Sequence, residues 1–484
     1  MTLLQRARLA ARFVFAPKAR YEGGRFQTPG RSVVPGAVQS ARMDLSKATR
    51  EELLRKSRYF EKNNGYYNRM ADLFEQYTVG QGIGFFPASS DPVWNQKWLV
   101  KWQKWQRFAD VSSRLSFGTL QGIIARALFI DGEIFLLKTF GETGFPRIQL
   151  IEAHRVCSPE NRTNDPNIVD GVEIDDRGRP IAYHIVTGWR DDGRTANKWE
   201  RYDADNIVHV MEPGRAGQYR GIPACYPVIN DLVDLDDLQI LEMEACKDAA
   251  SYSDVIKTAS GEVSDEDVLR GTVTNSDGVT RAAYYKDVFG ARTKVLKSGD
   301  EYSQHRSERP TAATSGYWDV MLTKICSGIG IPREIVIPGS MQGTSMRSVL
   351  DVASAYFRTR SSVIADHLRL VFEWVTEEHI RLDPQLSPAP ADWFLCAYRP
   401  PRSINVDVGR NSAAMIEEWR AGMKTLQDIY NEVGGDWRQG LRQKATEAKE
   451  VKDLAAEFGI EPSEIVLVDP SQLQPPDQNQ PPAQ

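Results

Sequence analysis

The segment Met346–Ile380, MRSVLDVASAYFRTRSSVIADHLRLVFEWVTEEHI, contains neither Gly nor Pro. Val349, Ala353, Phe357, Ile364, Leu368, Phe372 and Val375 return at spacings near the helical repeat, which predicts one uninterrupted helix. At the usual rise per residue it would span about 50 Å, longer than an ordinary globular helix. Two settings suit such a strut: a large scaffold or assembly, and the long buried helix of a big enzyme domain.

The remaining 449 of the 484 residues leave room for about two to four domains. Sixty basic residues against sixty-five acidic ones give a net charge of -5. That balance argues against sequence-specific gripping of nucleic acid, which draws on a basic surplus. It is compatible with DNA as a passing cargo, because repulsion prevents sticking. The five cysteines, Cys157, Cys225, Cys246, Cys326 and Cys396, are far apart and form no CxxC, so neither a zinc ribbon nor a disulfide scaffold is expected. No apolar run reaches the length of a membrane span. The opening LLQRARLAARFVFAPKAR is basic and weakly amphipathic. It reads as an arm packing on a neighbouring subunit, a frayed terminus or a membrane-surface helix.

Residues 21–42, rich in Gly, Pro and Ser, read as an extended arm. Asp44 or Ser46 can cap the next helix, which ends near Asn63-Asn64-Gly65, and a second helix runs about Tyr67–Tyr77. Trp94, Trp98, Trp102 and Trp105 then fall on one side of a helix, with Lys97, Lys101, Lys104 and Arg107 between them. This stripe is expected to be buried against a sheet; base stacking is the rival reading. A helix over 121–128 is followed by strands over 133–138, 148–151 and 207–210 and a hairpin, Val169–Ile174 with Ile181–Val186. The acids Asp170, Glu173, Asp175 and Asp176 at that hairpin are read as a solvated turn in preference to a metal site. Helices follow over 229–250 and 317–327, then a loop over 338–344, the strut, a connector over 384–401 and helices over 412–430 and from Asp436 to about Phe458. The Pro- and Gln-rich end, from Asp469, is expected to stay disordered.

No catalytic motif accompanies this layout. GxxxxGK[ST], HExxH and GxSxG are absent, and the six histidines are scattered. Gly80-Gln81-Gly82-Ile83-Gly84 imitates part of a dinucleotide loop but lacks the strand before it. A site assembled from distant segments stays open at this stage. No cofactor and no metal are expected.

The segment VHVMEPGRAGQYRGIPACYP, Val208–Pro227, resembles the signature of lambda-like phage portal proteins, with Arg215, Gly217, Gln218, Arg220, Gly221 and Pro223 in the expected order. Val79–Ile83, Asp131-Gly132-Glu133, Gln149–Ala153, Val169–Glu173, Gly328–Pro332 and Gly434–Trp437 resemble further family pieces, so the resemblance runs from about residue 40 to about 460. It implies an α+β portal fold assembled as a ring, usually of twelve subunits, at one capsid vertex of a virion. Double-stranded DNA is packaged and ejected through the central channel without sequence specificity. The implied partners are the major capsid protein, the terminase motor and head-tail connector proteins, met in the host cytoplasm during assembly. The resemblance implies an arm over 1–42, a wing over 43–228 and 346–408, stem helices over 229–250 and 316–330, a clip over 251–315, a channel-loop region over 331–345, a crown over 409–460 and a tail over 461–484. A packaging-associated nuclease and a different head-tail connector ring are the rival readings.

Two sets of residues are candidates for DNA. Ser340, Gln342, Gly343 and Thr344 form a polar loop able to make exchangeable bonds to phosphate, or simply the entry to the long helix. The acids Asp231, Asp234, Asp237, Glu244 and Asp248 give the first stem helix a strongly negative face. In a conduit such a face repels phosphates and keeps DNA moving; elsewhere it is a solvated or intersubunit face.

Overall fold

A computed structural model describes residues 38–142, 144–163, 165–187, 198–251, 255–257, 271–274, 280–283, 294–296, 312–339, 344–401, 408–433 and 437–460. The fold mixes helices and small sheets. Helix α1, Lys47–Asn63, is capped by Ser46, whose hydroxyl accepts from the Thr49 amide. Asn64 ends it and caps α2, Gly65–Thr78, by accepting from the Tyr67 amide. Strand β1, Gly84–Pro87, precedes α3, Pro92–Gln106, which Asp91 caps. Helix α4, Phe117–Ile130, leads into β2, Glu133–Phe140, and β3, Pro146–Glu152. The strands β4, Ile168–Val169, β5, Val172–Ile174, β6, Pro180–Val186, and β7, Trp199–Asp203, form one antiparallel sheet in sequence order. Strand β8, Ile207–Met211, instead returns to pair with β2, giving the order β3-β2-β8.

Strand β2 separates two cores because its side chains alternate across the sheet. Ile134 and Leu136 join the main core with α2, α4 and the long helix, while Phe135 and Leu137 join a smaller one with Val156, Val172, Tyr183 and Ile185. The hairpin expected near residue 175 is present as β5 and β6, but Val169–Ile174 is not one strand: Asp170 and Gly171, at φ 46° and 89°, turn the chain so that β4 and β5 pair with each other.

Helix α5, Ile229–Ser251, and helix α6, Ala312–Ile329, pack on each other close to Gly328, where a Cβ would collide with Val228. Between them, β9, Val255–Lys257, pairs in parallel with β12, Lys294–Leu296, whereas β10, Gly271–Thr274, pairs antiparallel with β11, Thr280–Ala283. The predicted strut is α7, Thr344–Leu382, 39 residues long. Ala353, Phe357, Ile364, Leu368, Phe372 and Val375 are buried along it, as their spacing requires.

The tryptophan stripe is buried, but against α7 more than against a sheet. The Trp102 ring meets Phe372 edge-on at 4.9 Å, and Trp98 lies 5.0 Å from His379. None of the four indoles is open to a nucleic-acid base.

Three expectations change. The connector over 384–401 contains β13, Cys396–Arg399, which pairs with β1. Strand β7 is additional to the hairpin. The single helix expected over 412–430 is two: α8, Val408–Arg420, and α9, Leu426–Val433. Gly422 takes a left-handed conformation at φ 72°, ending the first. Thr425 and Asp428 then bond each other's amides, at 2.9 and 3.2 Å, and start the second. Helix α10, Trp437–Phe458, follows; its expected cap, Asp436, lies outside the described residues.

Candidate functional site

The signature segment begins on a surface loop and ends in the interior. Arg215 is exposed and ties the loop to the start of the described chain, pairing with Asp44 and donating to the Gln39 carbonyl at 2.9 Å. Gln218 closes the loop on itself: its amide oxygen accepts from the Gly214 N–H at 3.0 Å, and its Nε2 donates to the Arg220 carbonyl at 2.9 Å. Gly217 has open space around it, so packing does not demand glycine there. Pro223 is buried and begins the turn into α5, where its carbonyl accepts from the Tyr226 amide.

Arg220 is the centre of the arrangement, at 2% exposure. Its guanidinium donates to both Glu133 carboxylate oxygens, to the Ala153 and Val156 carbonyls at 2.8 and 2.9 Å, and to the Asp170 carbonyl. Glu133 is fully buried and also accepts the Gly221 amide at 2.7 Å and Nε2 of His209 at 3.0 Å. The Asp170 side chain pairs with Arg50 and lies 3.4 Å from Arg220. Burial opposes the charge on Glu133, but Arg220 and then His209 outweigh it and hold the carboxyl well below its ordinary range. Burial lowers His209 as well, only partly offset by Glu133, so its imidazole stays neutral and donates. Burial also works against the Arg220 charge, yet Glu133 and then Asp170 raise its pKa. Gly221 fits because a Cβ would collide with the carbonyl of Gly132; Gly132, at φ 82°, lies equally close to Ile222. These groups bring β2, β8, α1 and the signature loop to one point. Each charged side chain of the cluster is paired with another, so the cluster fastens the fold; Oδ1 of Asp170 is buried without a donor among the described residues.

The hairpin acids do not form one solvated turn: the Asp170 side chain is buried in this cluster because Arg50 and Arg220 pair with it, while Asp176 is exposed. Glu173 accepts from His184 and Arg201, each at 3.0 Å, and Asp175 accepts the Arg177 and Arg179 amides of its own turn. Among the described residues no group of three or more His, Cys, Asp or Glu side chains is arranged to hold a metal ion.

The acidic helix differs. Asp234, Asp237 and Glu244 are exposed on α5 and border an open cleft of about 900 Å³ shared with Arg55, Lys56 and Asn63 of α1. Asp231 is less free than the sequence implied: Lys324 of α6 donates to it at 2.6 Å. Asp236 accepts from Asn64 at 2.7 Å, while burial raises its pKa. Asp248 belongs to α5, but its side chain is outside the described residues, as are Ser340, Gln342 and Gly343. Thr344 is the first residue of α7. The placement of the loop relative to the α5 acids therefore lies outside the described residues.

Beside the acids, Ile240, Leu241 and Met243 of α5 are more than half exposed, as are Tyr317 and Val320 of α6. None of the described residues covers them, which leaves an apolar surface open to a neighbouring molecule. Reading Arg220 as a signature letter also missed its role, since its partners lie 50 to 87 residues away.

The family described as phage portal protein, lambda family, matches residues 32–360. Portal protein B of Escherichia phage lambda is 22% identical over 446 residues, covering 80% of this chain and 82% of the relative. The portal protein of Escherichia phage N15 is 23% identical over 446 residues, with the same coverage. Among solved structures, the neck of a native gene transfer agent particle computed with C12 symmetry is similar at a TM-score of 0.42 and 14% identity, covering 81% of this chain and 94% of that one. A chain of the virion of a native gene transfer agent particle gives 0.40 and 12%, covering 80% and 94%. On a match that takes in well over half its length, the chain belongs to the lambda family of phage portal proteins.

Proposed function

We propose that twelve copies form a ring at one capsid vertex, at the head-tail junction of the virion, through which double-stranded DNA is packaged and ejected. The observation that carries this is the surface of α5 and α6: uncovered apolar side chains beside exposed acids. Apolar contacts between adjacent copies would close the ring, and the acids would discourage tight binding of passing phosphates. In this reading α5 and α6 form the stem, the elements between them the clip, residues 43–228 with α7 the wing, and α8 to α10 the crown. The clip serves the terminase motor during packaging and connector proteins afterwards, and the ring rim meets the major capsid protein. Asp234, Asp237 and Glu244 are the acids assigned to the channel, Asp231 being tied to Lys324.

Electron microscopy of the purified full-length protein tests the ring: closed rings are expected, and a stable monomer within the assembled vertex would defeat it. The loop reading is tested separately. Gln342→Lys is expected to leave rings intact and slow DNA passage by adding a charge that binds phosphate. Unchanged packaging and DNA retention would remove Ser340, Gln342, Gly343 and Thr344 from the contact surface.

A further inference from the structure

One feature outside the signature cluster and the acidic helix is a cleft of about 260 Å³ where α3, the β2–β3 turn and the end of α7 meet. Its charged wall is made by Lys101, Lys104, Arg147 and Asp383. Asp383 is already neutralised by Lys101, which bonds it directly. His379 adds no charge: burial lowers its pKa, and its Nδ1 is engaged by the Val375 carbonyl at 2.8 Å. Lys104 and Arg147 have no ion-pair partner among the described residues, so the cleft carries two uncompensated cations.

Arg147 is the more informative of the two. Its Nη1 donates to the Pro146 carbonyl at 3.0 Å, while its Nε is buried and meets no acceptor among the described residues. Burial also lowers its pKa, with no carboxylate to oppose the effect. A buried guanidinium N–H without an acceptor is costly. Nε is sealed from solvent, so the donor left for an incoming acceptor is Nη2, which makes no hydrogen bond among the described residues. Phe108 and Phe145, 51% and 38% exposed, stand at the rim with Trp105 beside them. Trp105 has its own N–H satisfied by Pro146 at 2.8 Å.

We propose that this cleft receives the carboxylate of an Asp or Glu side chain carried by a partner polypeptide, with an adjacent aromatic residue of that partner resting on Phe108 and Phe145. The carboxylate accepts from Nη2 of Arg147 and pairs with Lys104. The volume admits one or two side chains, which suits a peptide better than the broad backbone of a duplex. The site stands whether or not α5 and α6 line a channel.

The test uses the purified full-length protein and saturation-transfer NMR. The probe is acetyl-Glu-Phe-amide, and acetyl-Gln-Phe-amide is its neutral control. The Glu peptide is expected to bind at least about fivefold more tightly than the control. Lys104→Glu, a change at an exposed side chain, is expected to abolish that preference, and Arg147→Met to do the same. Should Arg147→Met fail to fold, Lys104→Glu decides alone. Equal binding of the two peptides, or an unchanged preference in Lys104→Glu, overturns the proposal. Displacement of the peptide by a duplex oligonucleotide or inorganic phosphate at lower concentration than the peptide itself also overturns it, showing a phosphate site instead. Ring integrity is read independently by microscopy, so failure here and failure of the channel reading are distinguishable.

Discussion

Glu133 and Asp234 carry the same charge and meet opposite fates. Glu133 is enclosed by Arg220, His209 and the Gly221 amide, with no exposure to solvent. Asp234 stands exposed on α5 beside an open cleft. A buried carboxylate must be matched group by group, because an unmatched charge in the interior is expensive. An exposed one is hydrated and screened, so it is free to act on a passing polyanion. Charge in the first region holds elements together; charge in the second leaves the fold nearly indifferent and sets what the surface tolerates.

The sharpest way to break this contrast is to remove one partner of the buried pair. Arg220→Met is expected to cost about 3–5 kcal/mol, read by urea denaturation, because Glu133 is left buried and uncompensated. Adding Glu133→Leu should restore much of the loss, since an apolar pair of similar size avoids desolvation. An Arg220→Met variant as stable as the parent would show that the cluster does not fasten the fold.

Gly221→Ala is next, at about 1–3 kcal/mol by thermal unfolding, because its methyl group meets the Gly132 backbone. Gly217→Ala, with nothing near its Cβ, is the internal control and should leave stability almost unchanged.

Acid titration sharpens the contrast further. His209 is held below its ordinary 6.5, so below that pH the unfolded chain takes up a proton that the fold refuses. Stability therefore falls as pH drops from 6.5 toward the folded value. Glu133 is held below its ordinary 4.5, so its contribution is complete above that pH and is lost as pH falls further. Two stages are expected in the urea midpoint against pH, and His209→Gln should shrink the upper one, to which His184 and His379, also held below 6.5 by burial, contribute as well.

The smallest effect belongs to the exposed region. Asp234→Asn with Asp237→Asn should change stability by no more than about 0.5 kcal/mol. In the proposed channel the same pair should measurably slow DNA passage in a packaging assay, because repulsion of phosphate is reduced. A large loss of stability would place these acids in a structural role like that of Glu133.

Much of the local structure was legible in the residues. The spacing of Phe357, Ile364, Leu368, Phe372 and Val375 marked α7, and the tryptophan steps marked the buried face of α3. Other features had no local signature. Strands β1 and β13 pair Phe85 with Tyr398, two short segments separated by most of the chain. The break between α8 and α9 does have a local signature, Gly422 followed by the Thr425–Asp428 pair, but apolar residues recur on both sides of it. At the candidate sites, the acids of α5 were evident as a run, but the pairing of Asp231 with Lys324 required α6 to be in place.

Sequence alone therefore determined the periodic elements, the negative character of α5 and the order of the signature Arg215, Gly217, Gln218, Arg220, Gly221 and Pro223, because helical period, charge and residue order are properties of neighbouring positions. Only the tertiary structure decided that Arg220 is an interior fastener, that the tryptophans close on α7, and that Arg147 and Lys104 stand without carboxylate partners among the described residues. Those outcomes depend on which distant groups share a desolvated space, and desolvation is what turns a charge or an N–H from a neutral surface feature into one that must find a partner.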